Sequence, residues 1–181
     1  MNVRTLCLAI LNFQDATGYE IKKLSTEGPF EHFVEISYGS IYPALAKLES
    51  DHLVTCKAQH QNGKPDKKIY SITAAGRSEF ISSINVMPKQ DKFISEFLLL
   101  AINADIASRD ILNAAIDAQI SQYESELVMI EEVLDEREQP ALIWTANYGK
   151  TTVEAKIAYL KDNKDSLLKL ADNSTAAQAA E

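Results

Sequence analysis

The 181-residue sequence predicts a mainly α-helical fold with one small β-hairpin, divided into two regions of different character. Three observations carry that prediction. Apolar residues recur at three- and four-residue spacing over most of the chain. Between Leu53 and Thr73 the pattern changes to two β-prone runs around Asn-Gly and Lys-Pro-Asp turn chemistry. The charge is also uneven: residues 1–88 carry nine Lys/Arg against nine Asp/Glu, and residues 89–181 nine against seventeen, so the formal net charge of −8 belongs to the second half.

Each element follows in order. Val3, Leu6, Cys7, Ile10 and Leu11 form a helical stripe over residues 3–13. In "DATGYEIKKL", Thr17 and Glu20 have capping-box spacing, which starts a second helix; "EGPF" at 27–30 ends it, since a residue before proline is biased away from helix. A third helix lies in "ISYGSIYPALAKLESDHLV" and begins near Gly39 or Ser40, because Pro43 lacks an N–H and belongs in a first turn. Ile41, Leu45 and Leu48 share its inner face, which leaves Tyr38, Ser40, Tyr42 and Lys47 to point elsewhere. That helix start is rich in hydrogen-bonding groups and poor in charge. "LVTCKAQHQ" and "KKIYSIT" then make a β-hairpin, and "TAAGRSEFISSI" resumes helix, with Thr73 as cap and Phe80, Ile81 and Ile84 inward. Three helices, a hairpin and a trailing helix within residues 1–86 make a winged helix-turn-helix the economical reading.

"NVMPKQ", around Pro88, marks the boundary to a helical region, residues 87–172. There Leu112, Ile116, Ile120, Tyr123, Leu127, Ile130 and Leu134 run at spacings of four and three between glutamates, a coiled-coil-like stripe that needs a partner helix. Pro140 starts another helix, with Trp144, Tyr148, Thr152, Ala155 and Tyr159 stepping every few residues. The expected dimerisation set is Ile116, Ile120, Tyr123, Leu127, Ile130, Leu134, Trp144 and Tyr148. Residues 173–181, small and polar, read as a flexible tail.

Several function classes are disfavoured. His32, His52 and His60 have no ligand spacing, and the acidic run "EEVLDEREQ" is interleaved with Val133 and Leu134 as a solvated helix face, so no metal or cofactor is expected. There is no Gly-rich phosphate loop, nucleophile elbow or catalytic His constellation, so the chain does not read as an enzyme. "FLLLAI", the longest apolar run, is too short to span a bilayer, and "LCLAIL" near the N-terminus reads as a core helix rather than a signal peptide. Cys7 and Cys56 read as reduced thiols of a cytoplasmic protein. On the residues alone, Tyr38 and Tyr42 fit half-buried aromatics closing the core, and an acidic chain is not the usual composition of a nucleic-acid binder.

The motifs "TGYEI", "YGSIYPALAKLESDHLV" and "GKPDKKIYSITAAGR", in that order, resemble the PadR family of bacterial transcriptional regulators over nearly all of residues 1–80. Within that family the chain looks most like the members with a long helical C-terminal domain of the virulence-activator type, and "NYGKTTVEAKIAYLK" loosely resembles that domain's last helix. The resemblance implies a homodimer whose third helices enter the major groove of double-stranded DNA, with Tyr38, Ser40 and Tyr42 facing the groove, Lys47 reaching a phosphate, and Lys64, Lys67 and Lys68 on the wing. The family's wing commonly carries arginine where this chain has Lys64 and Asp66, which shifts the expectation from base readout toward backbone contact. The implied function is sequence-specific regulation of transcription at a palindromic or pseudo-palindromic operator. Two alternatives stay open: a winged-helix protein-interaction module, suggested by the acidic charge and the heptad stripe, and a switch of the same fold answering to a small-molecule effector or a partner regulator, with Trp144 and Tyr148 lining the pocket.

Overall fold

The computed structural model describes residues 1–26, 30, 33, 37–61, 64–136 and 138–178, with the backbone alone for residues 38, 60, 61, 64–66 and 172–178. The chain forms two compact units, Met1–Gln90 and Asp91–Glu181.

The first unit runs α1 (Val3–Phe13), β1 (Ala16–Thr17), α2 (Gly18–Thr26), a 3₁₀ turn (Tyr38–Ser40), α3 (Ile41–Ser50), β2 (Val54–Gln61), β3 (Lys64–Ile72) and α4 (Ala74–Ile84). Asn2 caps α1 by accepting from the Thr5 N–H at 3.1 Å. Thr5, Leu6, Cys7, Leu8, Ile10 and Leu11 of α1 are all buried, a wider face than its apolar stripe, because α2, α3, α4 and β3 each touch this helix. Across from it, α3 contributes Ile41, Leu45 and Leu48, each fully enclosed. Pro43 is the third residue of α3, inside the first turn, where its missing N–H breaks no intrahelical bond. The Leu53 N–H donates to the Leu48 carbonyl at 2.9 Å and closes that helix, with His52 in the left-handed conformation (φ 58°) usually given to glycine.

The hairpin pairs Val54 with Ile72 through Gln59 with Lys67, and β3 also takes β1 on its other edge, giving the order β1-β3-β2. Strand β1 is absent from the sequence reading, since two residues are too few to show an alternation. Thr73 caps α4 by accepting from the Gly76 N–H at 3.0 Å, and its hydroxyl also reaches the Leu53 carbonyl. A Cβ on Gly76 would stand 2.0 Å from that carbonyl oxygen, so glycine permits the contact between α4 and the β2 start. The expectation for the rest of α4 is corrected. Phe80 packs against the core, but Ile81 and Ile84 are exposed. Ile81 is turned away around the helix, and Ile84 lies a turn beyond the last residue the core covers.

The second unit consists of α5 (Glu96–Ile102), α6 (Arg109–Glu136) and α7 (Pro140–Gln178). Lys150 meets Glu131 at 2.7 Å, Lys161 meets Glu124 at 2.6 Å and Lys164 meets Asp117, so position rises along α7 as it falls along α6. The two helices are an antiparallel hairpin. Leu112 and Ile116 are fully buried against Leu168 and Ala171, with Phe97, Leu100 and Ile120 around them. The partner that the α6 stripe needs is therefore α7 of the same chain. Ile116, expected at a dimer interface, is fully buried within this chain, in the cluster of Ala104, Leu112, Leu168 and Ala171. On α7 the packed positions include Val153, Leu168 and Ala171, whereas Trp144, Tyr148 and Tyr159 stand exposed on a different face. The α7 backbone is helical to Gln178, into the stretch expected as a tail, and 179–181 fall outside the described residues. Among the described residues no helix is long and apolar enough to cross a membrane, and no group of three His, Cys, Asp or Glu side chains is placed to hold a metal ion.

Candidate nucleic-acid interface

The start of α3 is set by the turn before it. The Ser40 N–H and hydroxyl both donate to the Ser37 carbonyl, at 3.0 and 2.7 Å, which closes the 3₁₀ turn. Ser40 thus spends its donor inside the chain and keeps acceptor lone pairs for an outside partner. No side chain caps α3; the 3₁₀ turn runs directly into it, and Pro43 has no N–H to offer in its first turn, so side chains rather than free backbone N–H groups mark this helix start. One residue further on, Tyr42 is 51% exposed. Its angular offset from Ile41 and Leu45 explains why: those two take the inner face.

Lys47 lies a turn further along and is held. Its ammonium sits 2.8 Å from Asp51, which also meets Arg4 of α1 at 2.9 Å. The hydrogen bonds from Lys47 and then Arg4 keep the Asp51 carboxyl below its ordinary range. Lys47 is consequently a partly neutralised cation, weaker toward a phosphate than its position suggests.

The wing brings a second group. Lys67 and Lys68 are exposed on β3, and Lys67 is near enough to Glu20 to help lower its pKa, after the larger effect of the Thr17 hydrogen bonds. The β1 pairing of Thr17 with Ile69 places the α2 start beside the wing base. Lys64 lies on β3, but its side chain, like that of Tyr38, falls outside the described residues. The first unit therefore gathers Ser40, Tyr42, Lys47, Lys67 and Lys68, while the expected dimerisation residues all belong to the second. One neighbour of this set escapes sequence reasoning: Gly18, against which the Cδ1–Cε1 edge of the Tyr42 ring stands. Its signal is the glycine of "TGYEI", whose missing side chain gains meaning only with Tyr42 beside it.

A three-helix unit with a hairpin wing and an uncapped, polar third-helix start defines a winged helix-turn-helix protein. The transcriptional regulator PadR-like family matches residues 7–82. Over 121 residues the chain is 26% identical to the negative transcriptional regulator PadR of Bacillus subtilis, a match covering 66% of this chain and 66%, just under two thirds, of that one. The crystal structure of a PadR-like transcriptional regulator from Bacillus cereus superposes with a TM-score of 0.77 at 26% identity, covering 91% of this chain and 94% of the other. Bacillus subtilis PadR in complex with operator DNA has the same fold, with a TM-score of 0.68 at 21% identity over 91% and 98% of the two chains. Residues 7–82 thus carry a domain of the transcriptional regulator PadR-like family, and the relatives named are transcriptional regulators rather than enzymes.

Proposed function

We propose that the protein is a cytoplasmic homodimer that binds double-stranded DNA sequence-specifically at a palindromic or pseudo-palindromic operator. The observation that carries this reading is the pairing, in one unit, of an uncapped α3 start bearing exposed Tyr42 with the exposed wing lysines Lys67 and Lys68. Tyr38, Ser40 and Tyr42 face the groove, Lys47 takes a phosphate, and Lys64, Lys67 and Lys68 follow the backbone. Residues 1–86 are the landing domain, and residues 87–172 pair two copies. Since Ile116 is enclosed, the pairing surface draws on the outward aromatic face, Trp144 and Tyr148, and on the partly exposed edges of Ile120, Tyr123, Leu127, Ile130 and Leu134. Two-fold symmetry of the dimer then requires two-fold symmetry of the operator.

Selection of bound duplexes from fragmented genomic DNA, at two salt concentrations, tests the reading. Enrichment of an inverted repeat, with retention falling steeply at the higher salt, is the expected result. Folded protein that enriches no motif overturns it, and a protein that sediments as a monomer on a single half-site overturns the dimer.

A second reading concerns control. The Trp144 and Tyr148 rings are stacked, with centroids 6.0 Å apart and planes 13° apart, and both are exposed. Such a platform, at the surface where the two copies pair, suits a flat aromatic effector. Saturable quenching of the single tryptophan by a planar carboxylic phenol, lost in Tyr148→Ala, supports it; no quenching across a panel of planar aromatics removes it.

A further inference from the structure

We propose that Gly18 is a positioning residue for Tyr42: the side chain it lacks leaves the space that the Cδ1–Cε1 edge of the Tyr42 ring occupies, and that space fixes where the phenol is presented beside the wing. The inference rests on the reading of Tyr42 as a DNA contact.

Gly18 is the first residue of α2 and is buried. Its backbone is not in the left-handed region, so conformational freedom does not explain a glycine here. Space does. A Cβ on Gly18 would stand 2.7 Å from Tyr42 Cε1, 3.3 Å from Cδ1 and 3.6 Å from Leu45 Cδ1, and the first of these is closer than two carbons approach without one moving.

Neither neighbour of that ring edge can yield. Gly18 is clamped on its N-terminal side, because the Thr17 N–H and hydroxyl donate to Glu20 at 2.7 and 2.8 Å while the Glu20 N–H donates back at 3.2 Å. In addition, Ala16 and Thr17 pair with Tyr70 and Ile69 of β3. Leu45 is fully enclosed. Tyr42 alone is half in solvent, so a methyl group at position 18 would swing its ring outward at little cost to the fold. Tyr42 also lies near β3: the Tyr70 hydroxyl is pushed up by burial first, then by Cys56, Glu49 and Tyr42 nearby. The two-residue strand β1 thus acquires a purpose, since it holds the α2 start in place beside the aromatic.

The test is a double-mutant cycle on the full-length protein, Gly18→Ala and Tyr42→Ala, with the duplex enriched by the unaltered protein as probe. Gly18→Ala is expected to weaken binding about fivefold, the loss of one oriented hydrogen bond, while thermal stability stays near that of the parent. Combined with Tyr42→Ala it is expected to add no further loss, because the ring it displaces is gone. Unchanged affinity in Gly18→Ala, alongside weakened Tyr42→Ala, overturns the positioning role and leaves the DNA contact standing. If Tyr42→Ala is also harmless, the contact reading fails first and this inference with it. Equal losses from Gly18→Ala in both backgrounds show an effect that bypasses Tyr42 and overturn the proposal. A measurement on the unaltered protein guards against a variant that folds poorly: NMR cross-relaxation between the Gly18 Hα protons and the Tyr42 ring is expected, and its absence overturns the geometry directly.

Discussion

Tyr42 owes its reach to the residues around it. Ile41, Leu45 and Leu48 fill the inner side of α3, and Tyr42 is left half-exposed with one edge of its ring against the start of α2. Tyr42→Phe keeps the ring and removes only the hydroxyl, so on the proposed reading it is expected to cost operator affinity by about threefold to tenfold without changing the oligomeric state, measured by fluorescence anisotropy and sedimentation. The capping box makes a second residue-scale prediction. Hydrogen bonds from the Thr17 backbone and then its hydroxyl hold the Glu20 carboxyl below its ordinary range. A depressed folded pKa means the stabilisation is present above the unfolded value, about 4.3, and is lost as pH falls through the lower folded one. Glu20→Gln should therefore destabilise by about 0.5–1 kcal/mol at pH 7 and match the parent in acid, as read by urea unfolding across pH. The thiols differ in kind. Burial pushes Cys7 up to about 12, so it stays protonated and unreactive in the folded chain, and a disulfide reagent at pH 8 should label Cys56 first and Cys7 only on unfolding. Caps at Thr17 and Thr73 were legible in the sequence because their partners lie three residues away. The clasp of Arg4 on Asp51 and the Tyr42 ring against Gly18 were not, because those partners meet only through tertiary packing.

Among the elements, the α6 and α7 hairpin shows what periodicity can and cannot say. The stripe on α6 announces a partner helix, and three lysine–carboxylate pairs fix an antiparallel one within the chain, with Lys156 lying over Tyr123 at 4.9 Å and Phe93 at 5.6 Å. Period alone cannot tell an intrachain partner from a second copy, which is why Ile116 reads as an interface residue until its burial is seen. The same limit applies to α7. Its most regular aromatic series, Trp144, Tyr148 and Tyr159, lies outside the hairpin core, while the packed face is drawn from smaller residues such as Val153 and Ala171. Gly149 marks where the helices approach: a Cβ there would meet Ile130 Cδ1 at 3.4 Å, an ordinary contact. Gly149→Ala is thus expected to stabilise the second unit by about 0.5–1 kcal/mol through helix propensity, read by chemical denaturation; a loss instead would mean the helices pack more tightly at that point. In the first unit, helix and hairpin positions were legible from period and turn chemistry. Strand β1 was hidden by its length, and the outward turn of Ile81 and Ile84 by the fact that an apolar pattern does not reveal where a core ends.

For the molecule as a whole, the division of charge decides how it meets DNA. The first half is neutral in sum and the second carries the entire excess of acid, so attraction depends on where the lysines stand rather than on their number. On the described surface Lys67 and Lys68 stand exposed on the wing, while Lys47 shares its charge with Asp51. An acidic second half repels the phosphate backbone, which suppresses binding anywhere except at the winged units and makes the few effective cations decisive. Each phosphate contact releases condensed counterions and adds about 0.9 to the slope of log affinity against log salt, and in the proposed homodimer each wing lysine counts twice. Lys67→Gln with Lys68→Gln is therefore expected to flatten that slope by about three to four and to weaken binding to all sequences alike. Lys47→Gln should flatten it by less, because its ion pair with Asp51 already neutralises part of its charge. Tyr42→Phe should leave the slope unchanged while shifting affinity, since it removes a neutral hydrogen bond and no charge. Titrations of the three variants at four salt concentrations separate these outcomes. A parental slope in the wing double variant would place the phosphate contacts elsewhere and remove the wing from the interface, whereas a flattened slope in Tyr42→Phe would show that the hydroxyl orders a cation and not a base.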